Sequence, residues 1–397
     1  MTEDLGGGDL SRLRRLNARA VLRALRGEPA LTMTELARRT GLSRASAEDV
    51  VRELLERGWV GEAAPTAGAV GRPARRYRFR SEAGRVLGVD VGGHKVLALV
   101  TDLDGAVLHA ARVAVTPLMG REERLAAVDE AVGVALTGAG VAADEVWAAG
   151  VATTGLVDRT GRVMLSEALR EWTGVDLAAH LRRLVAGPVL VENDSKLAAL
   201  AESWRGVARH AQDVVFLLAG LRTGTGLIIG GRLHRGFGNA AGEIGALPAA
   251  GWARAQRHLR SRLGDAGREA DQDTAVEHVF RAAREGDRAA LSAVRHYVRD
   301  LAVGASALVL TLDPELVVIG GGFSRSADLI VEPLRRELDR WCVRTPEVRV
   351  SAFGDEGVAL GAVRLALDHV DAVLDERGEL AAPGHLPRRA SRSPGHG

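Results

Sequence analysis

Cysteine is almost absent: the 397-residue chain holds one, Cys342. A lone cysteine closes no internal disulfide and excludes any multi-cysteine zinc site. Lysine is nearly as scarce, Lys95 and Lys196 being the only two, so arginine carries the basic charge; that bias reads as the mark of a GC-rich genome more than of a function. Long apolar runs are missing too. No stretch approaches the roughly 18 apolar residues of a membrane span, and the opening segment MTEDLGGGDLSRLRRLNARA has no apolar run of signal-peptide length. The expectation is a cytoplasmic protein with no membrane partner. Net charge is only +2, but it is uneven: sixteen arginines face ten acidic residues in residues 1–80, an excess of +6, and the remainder carries −4.

What is present, 46% hydrophobic and 26% charged residues over this length, suits a globular chain of two or three domains. Residues 12–60 read as helical throughout. Thr32 or Thr34 can cap MTELARRT, Gly41 breaks it, and Ser43 caps SRASAEDVVRELLERG before Gly58 ends it. A short helix, a glycine turn and a longer capped helix make a helix-turn-helix, although a helical dimerisation hairpin has the same pattern. WVGEAAPTAGAVGRPARRYRFR then fits two short strands around a Gly/Pro-rich tip, a wing. Its GRPARR segment is slim and extended, and arginines such as Arg72, Arg75 and Arg76 are drawn into a narrow minor groove by its negative potential; the plainer alternative is a solvated basic linker.

From Arg85 the texture turns β-rich. RVLGVDVGGHKVLALVTDLDGAVLHAARVAV reads strand, glycine bend, strand, Asp-Gly turn, strand, and QDVVFLLAGLRTGTGLIIGGRLHRG, beginning at Gln212, repeats the plan. Two related α/β lobes would leave a cleft with a glycine bend on each wall, where bare N–H groups can approach a phosphate. A third glycine signal, Gly320-Gly321-Gly322, follows PELVVI. Asn193-Asp194, ahead of a helix, reads on its own as an N-cap.

The order of these motifs resembles the ROK proteins, a family of sugar kinases and of bacterial transcription repressors built on a kinase-like body. The resemblance runs from Leu13 to about Leu374, and a winged helix with a GRPA segment ahead of GVDVGG belongs to the repressor branch. It implies a winged helix-turn-helix over 12–80, then an α/β actin-like ATPase (ribonuclease H-like) body over 85–375 with lobes of about 85–200 and 210–375. Residues 377–397, rich in Pro, Gly, Ser and Arg, read as a disordered basic tail.

The resemblance also implies roles. Asp90, Gly92, Gly93 and Lys95 match the first phosphate motif, with His94 at its usual threonine. Gly220, Gly224 and Gly226 match the second, with Leu221 and Arg222 at its threonine and second glycine; Gly320 and Gly321 match the motif near the adenosine. Asp194 takes the place of the catalytic base, and Asn193 and Glu243 that of sugar-binding groups. On the sugar side Ala168 replaces an asparagine, Ala246 replaces a histidine that touches sugar and zinc, and AAGWARAQRHLRSRLGDAG replaces the cysteine zinc loop. His258 and its neighbouring arginines read as a solvated helix face. These losses point to a degenerate kinase site with a vestigial base, no zinc and doubtful ATP binding.

The expected function is a ROK-type transcriptional regulator that binds an inverted-repeat operator as a homodimer or higher oligomer. Ser43, Arg44 and Ser46 would read bases, with Arg72, Arg75 and Arg76 in the minor groove, while Glu48 and Asp49 either accept from cytosine N4 groups or weaken binding. The body would sense a sugar or sugar-phosphate effector. An active sugar kinase carrying a DNA-binding domain, and a DNA-binding scaffold without a ligand, remain open.

Overall fold

The computed structural model describes residues 8–64, 74–220, 222–262 and 272–376. Arg72, Leu221 and the expected basic tail 377–397 lie outside the described residues.

The first described elements are α1 (Gly8–Leu25), β1 (Leu31–Thr32), α2 (Met33–Thr40), α3 (Arg44–Glu56), β2 (Val60–Ala63) and β3 (Arg76–Phe79). Thr32 starts α2 in a reciprocal box: its Oγ1 accepts from the Glu35 amide at 3.3 Å, and Glu35 Oε2 accepts from the Thr32 amide at 2.7 Å. Gly41 ends α2 with φ +71°, a conformation that a side chain strains. Ser43 Oγ then accepts from the Ser46 amide at 3.1 Å and opens α3. Ala47, Val50, Val51 and Leu54, at helical spacing, bury one face of α3, and Arg44, Glu48, Asp49 and Arg52 stay exposed on the other. The sequence reads helix throughout 12–60, but Leu31 and Thr32 pair with Tyr77 and Arg76, giving a sheet of order β1-β3-β2. Two residues are too short a run for a sequence pattern; only the partner strand makes them a strand. The unit is a winged helix-turn-helix.

The body begins with the meander β4 (Arg85–Val91), β5 (Lys95–Asp102) and β6 (Val107–Ala114), followed by α4 (Arg121–Ala139), β7 (Val146–Thr153), the hairpin β8 (Leu156–Val157) and β9 (Val163–Leu165), α5 (Leu177–Leu181), β10 (Val189–Asn193) and α6 (Asp194–Arg205). A second meander, β11 (Val214–Leu218), β12 (Gly224–Ile229) and β13 (Arg232–Leu233), leads into α7 (Trp252–Arg260), α8 (Gln272–Arg284), α9 (Arg288–Leu312), β14 (Leu316–Gly320), α10 (Ala327–Trp341), β15 (Glu347–Val350) and α11 (Gly357–Glu376).

The sheet orders are β6-β5-β4-β7-β10 and β13-β12-β11-β14-β15. In each, three antiparallel strands are followed by two parallel ones on the far side of the first strand. The repeat read from two glycine-punctuated meanders is therefore a repeat of whole sheets, and the body is the two-lobed actin-like fold. Strands β4 and β7 are buried on both faces, which explains their near-continuous apolar runs. Among the described residues the core of the winged helix is continuous with that of the body. Trp59, Phe79, Leu22 and Leu25 share one apolar cluster with Leu99, Leu103, Trp147, Val363 and Val370 of the body. Among the described residues no helix is long and apolar enough to cross a membrane.

Candidate functional site

In an open sheet of parallel strands, ligands gather outside the carboxyl ends of the strands. Asp90 lies near that end of β4, opposite Ala152 of β7, while Asn193 closes β10 opposite Thr153. Three expected residues thus meet at one edge, because Asp194 is the first residue of α6. The N-cap of α6 is Asn193. Its Oδ1 accepts from the amides of Ser195 at 3.0 Å and Lys196 at 3.2 Å, and its Nδ2 donates to the Gly155 carbonyl at 3.0 Å. Capping thus occupies most of the side chain expected to hold a sugar hydroxyl.

Asp194 accepts from the Ser195 amide at 2.7 Å. Its carboxyl is pushed up to about 7, first by burial and then by the charges of Asp90 and Glu243. Burial also lifts Asp90 to about 6, against the pull of Lys95, whose Nζ stands 3.6 Å from Asp90 Oδ2. Glu243, in the turn beyond β13, is raised by the same desolvation. Three carboxyls therefore share one electrostatic field. A carboxylate titrating near neutrality is a competent general base and also a good acceptor for a ligand hydroxyl.

Several of the residues expected at a phosphate bond to other protein groups. Lys95 Nζ donates to the carbonyl of Asp355, just ahead of α11, and Arg325 Nη2 donates to the Asp355 carboxylate at 2.8 Å. The Gly92 carbonyl accepts from the fully buried Arg124 at 2.6 Å, Gly93 follows it in the bend, and His94 is exposed. Gly224 and Gly226 let β12 press against the first turns of α6; a Cβ on Gly224 would meet Ser195 Oγ at 2.8 Å. Gly320 ends β14, and Gly321 turns with φ +81°. The altered Arg222 is exposed beside Gly220.

A buried network escaped the sequence reading. Lys196, fully buried, donates to the Asn239 carbonyl and stands 4.0 Å from Glu192 Oε1. Glu192 also accepts from Arg235 Nε at 2.6 Å and Asn239 Nδ2 at 2.9 Å. Asn239 has φ +61° and gives Nδ2 to the Val157 carbonyl as well, at 2.8 Å. β10 and β8 of the first lobe are thereby tied to the loop after β13 in the second. The scarcity of lysine was the available signal: both lysines lie at this cleft, each with its ammonium on a backbone carbonyl and near a carboxylate.

On the zinc side, Ala168 packs against the first-lobe core and Ala246 is exposed. His258, expected on a solvated face, is half-buried: its Nε2 lies 3.1 Å from Asp300 Oδ2 and its ring lies 5.0 Å from that of His296, tilted by 30°. Among the described residues no group of three or more His, Cys, Asp or Glu could hold a metal ion. Alanine at 246 and the absence of cysteine from the segment that replaces the zinc loop leave the family's zinc ligands unmatched in the sequence.

On the winged helix, Ser43 and Ser46 are engaged in capping and with each other, Oγ to Oγ at 2.9 Å. Arg44 points outward, its Nε donating to Glu48 Oε1 at 2.9 Å. Arg75 pairs with Glu62 at 3.1 Å across the wing. Arg76 is the first residue of β3, and its Nη1 donates to the Ala30 carbonyl at 2.7 Å, which ties β3 to the chain just ahead of β1.

Comparison with known proteins follows the same division. The ROK family model matches residues 86–257 and 249–369, and the MarR family model matches residues 14–68. The chain is 23% identical over 390 residues to a xylose repressor of Caldicellulosiruptor bescii, covering 91% of this chain and 97% of that protein. It is 29% identical over 317 residues to a glucokinase of Streptomyces coelicolor, covering 71% and 98%. Among solved structures, a ROK family transcriptional regulator, a homologue of the E. coli MLC protein, matches with TM-score 0.68 at 18% identity over 91% of this chain and 99% of that one. A ROK family glucokinase from Streptomyces griseus in complex with glucose and AMPPNP matches with TM-score 0.58 at 28% identity, over 72% and 100%.

Proposed function

The chain belongs to the ROK family, and on that premise we propose that it is a DNA-binding transcriptional regulator, most simply a repressor, acting in the cytoplasm. The observation that carries this reading is the winged helix itself, with the capped α3 presenting Arg44 to solvent. The similarity to a xylose repressor spans 91% of the chain and that to a glucokinase 71%, a difference of about the size of the winged helix. The partner is double-stranded DNA. Two α3 helices on a two-fold axis would read inverted half-sites, so the acting form is a homodimer or a higher homo-oligomer.

The body is a sensor, a dimerisation platform or both. Its effector would be a sugar or sugar phosphate in the cleft at Asp194 and Glu243. Asp90, Lys95 and the glycines at 92, 93, 224, 226, 320 and 321 would be the remains of a nucleotide site, and no zinc is expected. Footprinting of genomic fragments at low salt tests the reading: a protected palindrome is expected, and its absence rejects it. Arg44→Ala should relax base preference at one position of each half-site, while Arg72→Ala should weaken A·T-rich flanks and lower the salt slope by about one.

One observation favours a second reading. Asp194, raised to about 7, has the acidity of a working base, which suits an active sugar kinase. That reading needs ATP held where Lys95 and Arg325 now grip Asp355, and sugar-dependent ADP release abolished by Asp194→Asn would establish it.

A further inference from the structure

The winged helix meets the body at the turn between β5 and β6. Asp102 Oδ1 closes that turn by accepting from the amides of Asp104 at 3.0 Å and Ala106 at 2.8 Å. From the DNA-binding side, Arg26, just past α1, donates Nη2 to the Leu103 carbonyl at 2.6 Å, pairs with Asp371 of α11 and holds its Nε 3.9 Å from Asp104 Oδ1. The neighbouring Gly27 amide donates to the same Asp104 oxygen at 3.2 Å. The connector after β3 joins in, the Leu103 amide donating to the Ser81 carbonyl at 3.0 Å. From the body side, Arg205 at the end of α6 donates to the Gly105 carbonyl at 3.1 Å and to the Asp104 carbonyl, its guanidinium stacked 4.0 Å from the Trp204 ring. Below the polar ring, Trp59 meets Trp147 edge-on at 5.8 Å.

A flexibly tethered DNA-binding domain would need none of this. Between β3 and β4 there is only a short connector holding one turn of 3₁₀ helix, Ser81–Ala83, and the guanidinium of Arg26 is buried enough to be drawn down to about 10. We propose that the turn formed by residues 102–105, gripped by Arg26 from the winged helix and by Arg205 from α6, is a rigid joint that sets the pose of the winged helix on the body, and so makes the full-length protein selective for one separation between half-sites. Arg26 and Arg205 are positioning residues that act on spacing without touching bases. α6 begins at Asp194, so the joint is held by the far end of the helix that starts in the cleft. The inference rests on the DNA-binding reading above.

Duplex selection with the full-length chain tests it in two rounds: random duplexes first yield the half-site, then paired half-sites are offered at separations stepped by single base pairs over two helical turns. Each added base pair turns one half-site by about 34° relative to the other. The wild type is expected to favour one separation by about tenfold or more over its neighbours. Arg26→Ala and, independently, Arg205→Ala should keep the same half-site sequence but bind neighbouring separations within about threefold. Arg205→Ala leaves the winged helix's own packing intact, and circular dichroism melting confirms that each variant is folded. The proposal is overturned if the wild type accepts several separations equally, if it enriches only unpaired half-sites, or if a folded variant keeps the single separation. If no motif is enriched at all, the DNA-binding reading fails as well.

Discussion

Asp194 is the residue whose environment differs most from its sequence appearance. As a carboxyl raised from 3.8 to about 7 in the fold, it stays protonated in the native state over a range in which the unfolded chain has already lost its proton. Native protein then binds more protons than unfolded protein, so stability falls as pH rises from about 4 to 7 and levels off above that. Asp194→Asn removes the penalty. The variant should match the wild type near pH 4 and exceed it at pH 8, by at most about 4 kcal/mol, with operator binding retained; thermal melts at the two pH values measure it, and a wild type that gains stability from pH 5 to 8 relative to the variant would contradict the assignment. Glu192 matters through its ion pairs. Glu192→Gln takes from the buried Lys196 ammonium the larger of its two counter-charges, leaving Glu243, and should cost about 3 kcal/mol in urea unfolding.

At the scale of elements, the caps carry the argument from sequence to structure. Thr32 was one of two threonines that could open α2, and the box with Glu35 decides for it. Thr32→Ala should lower stability by about 1 kcal/mol, and Thr32→Ser should recover most of that loss; equal denaturant midpoints for all three proteins would show the box idle. Because the winged helix shares its apolar cluster with the body, the loss should appear in the unfolding of the whole chain and not in a separate early transition. Helices and meanders were legible because each is specified by local means: spacing, caps, turn residues. β1 was not, since its two residues become a strand only beside β3.

For the molecule as a whole, the two sheets share one topology, and the cleft between the lobes is bridged by Glu192, Lys196, Arg235 and Asn239 on one side and by Lys95, Asp355 and Arg325 on the other. A protein held this way should need no metal to stay folded. Elemental analysis should find well under one zinc per chain, and chelators should leave the melting midpoint unmoved; one tightly held equivalent would reveal a site beyond those described, with His258 the first residue to test.

The amino-acid sequence determined the class of the protein by itself: winged helix, two glycine-punctuated lobes, Asp194 in its motif and the missing cysteines. Such features are written in neighbouring residues, and their chemistry is local. Tertiary structure decided what lies between segments distant in the chain. It placed both lysines at the cleft, turned the Asn193 amide onto the Gly155 carbonyl, gave Arg76 a bond to the Ala30 carbonyl, and brought Arg26 and Arg205 onto one turn. Burial and charge proximity are sums over everything nearby, whatever its position in the chain, so the acidity of Asp194 and the grip on residues 102–105 exist only once the chain has folded.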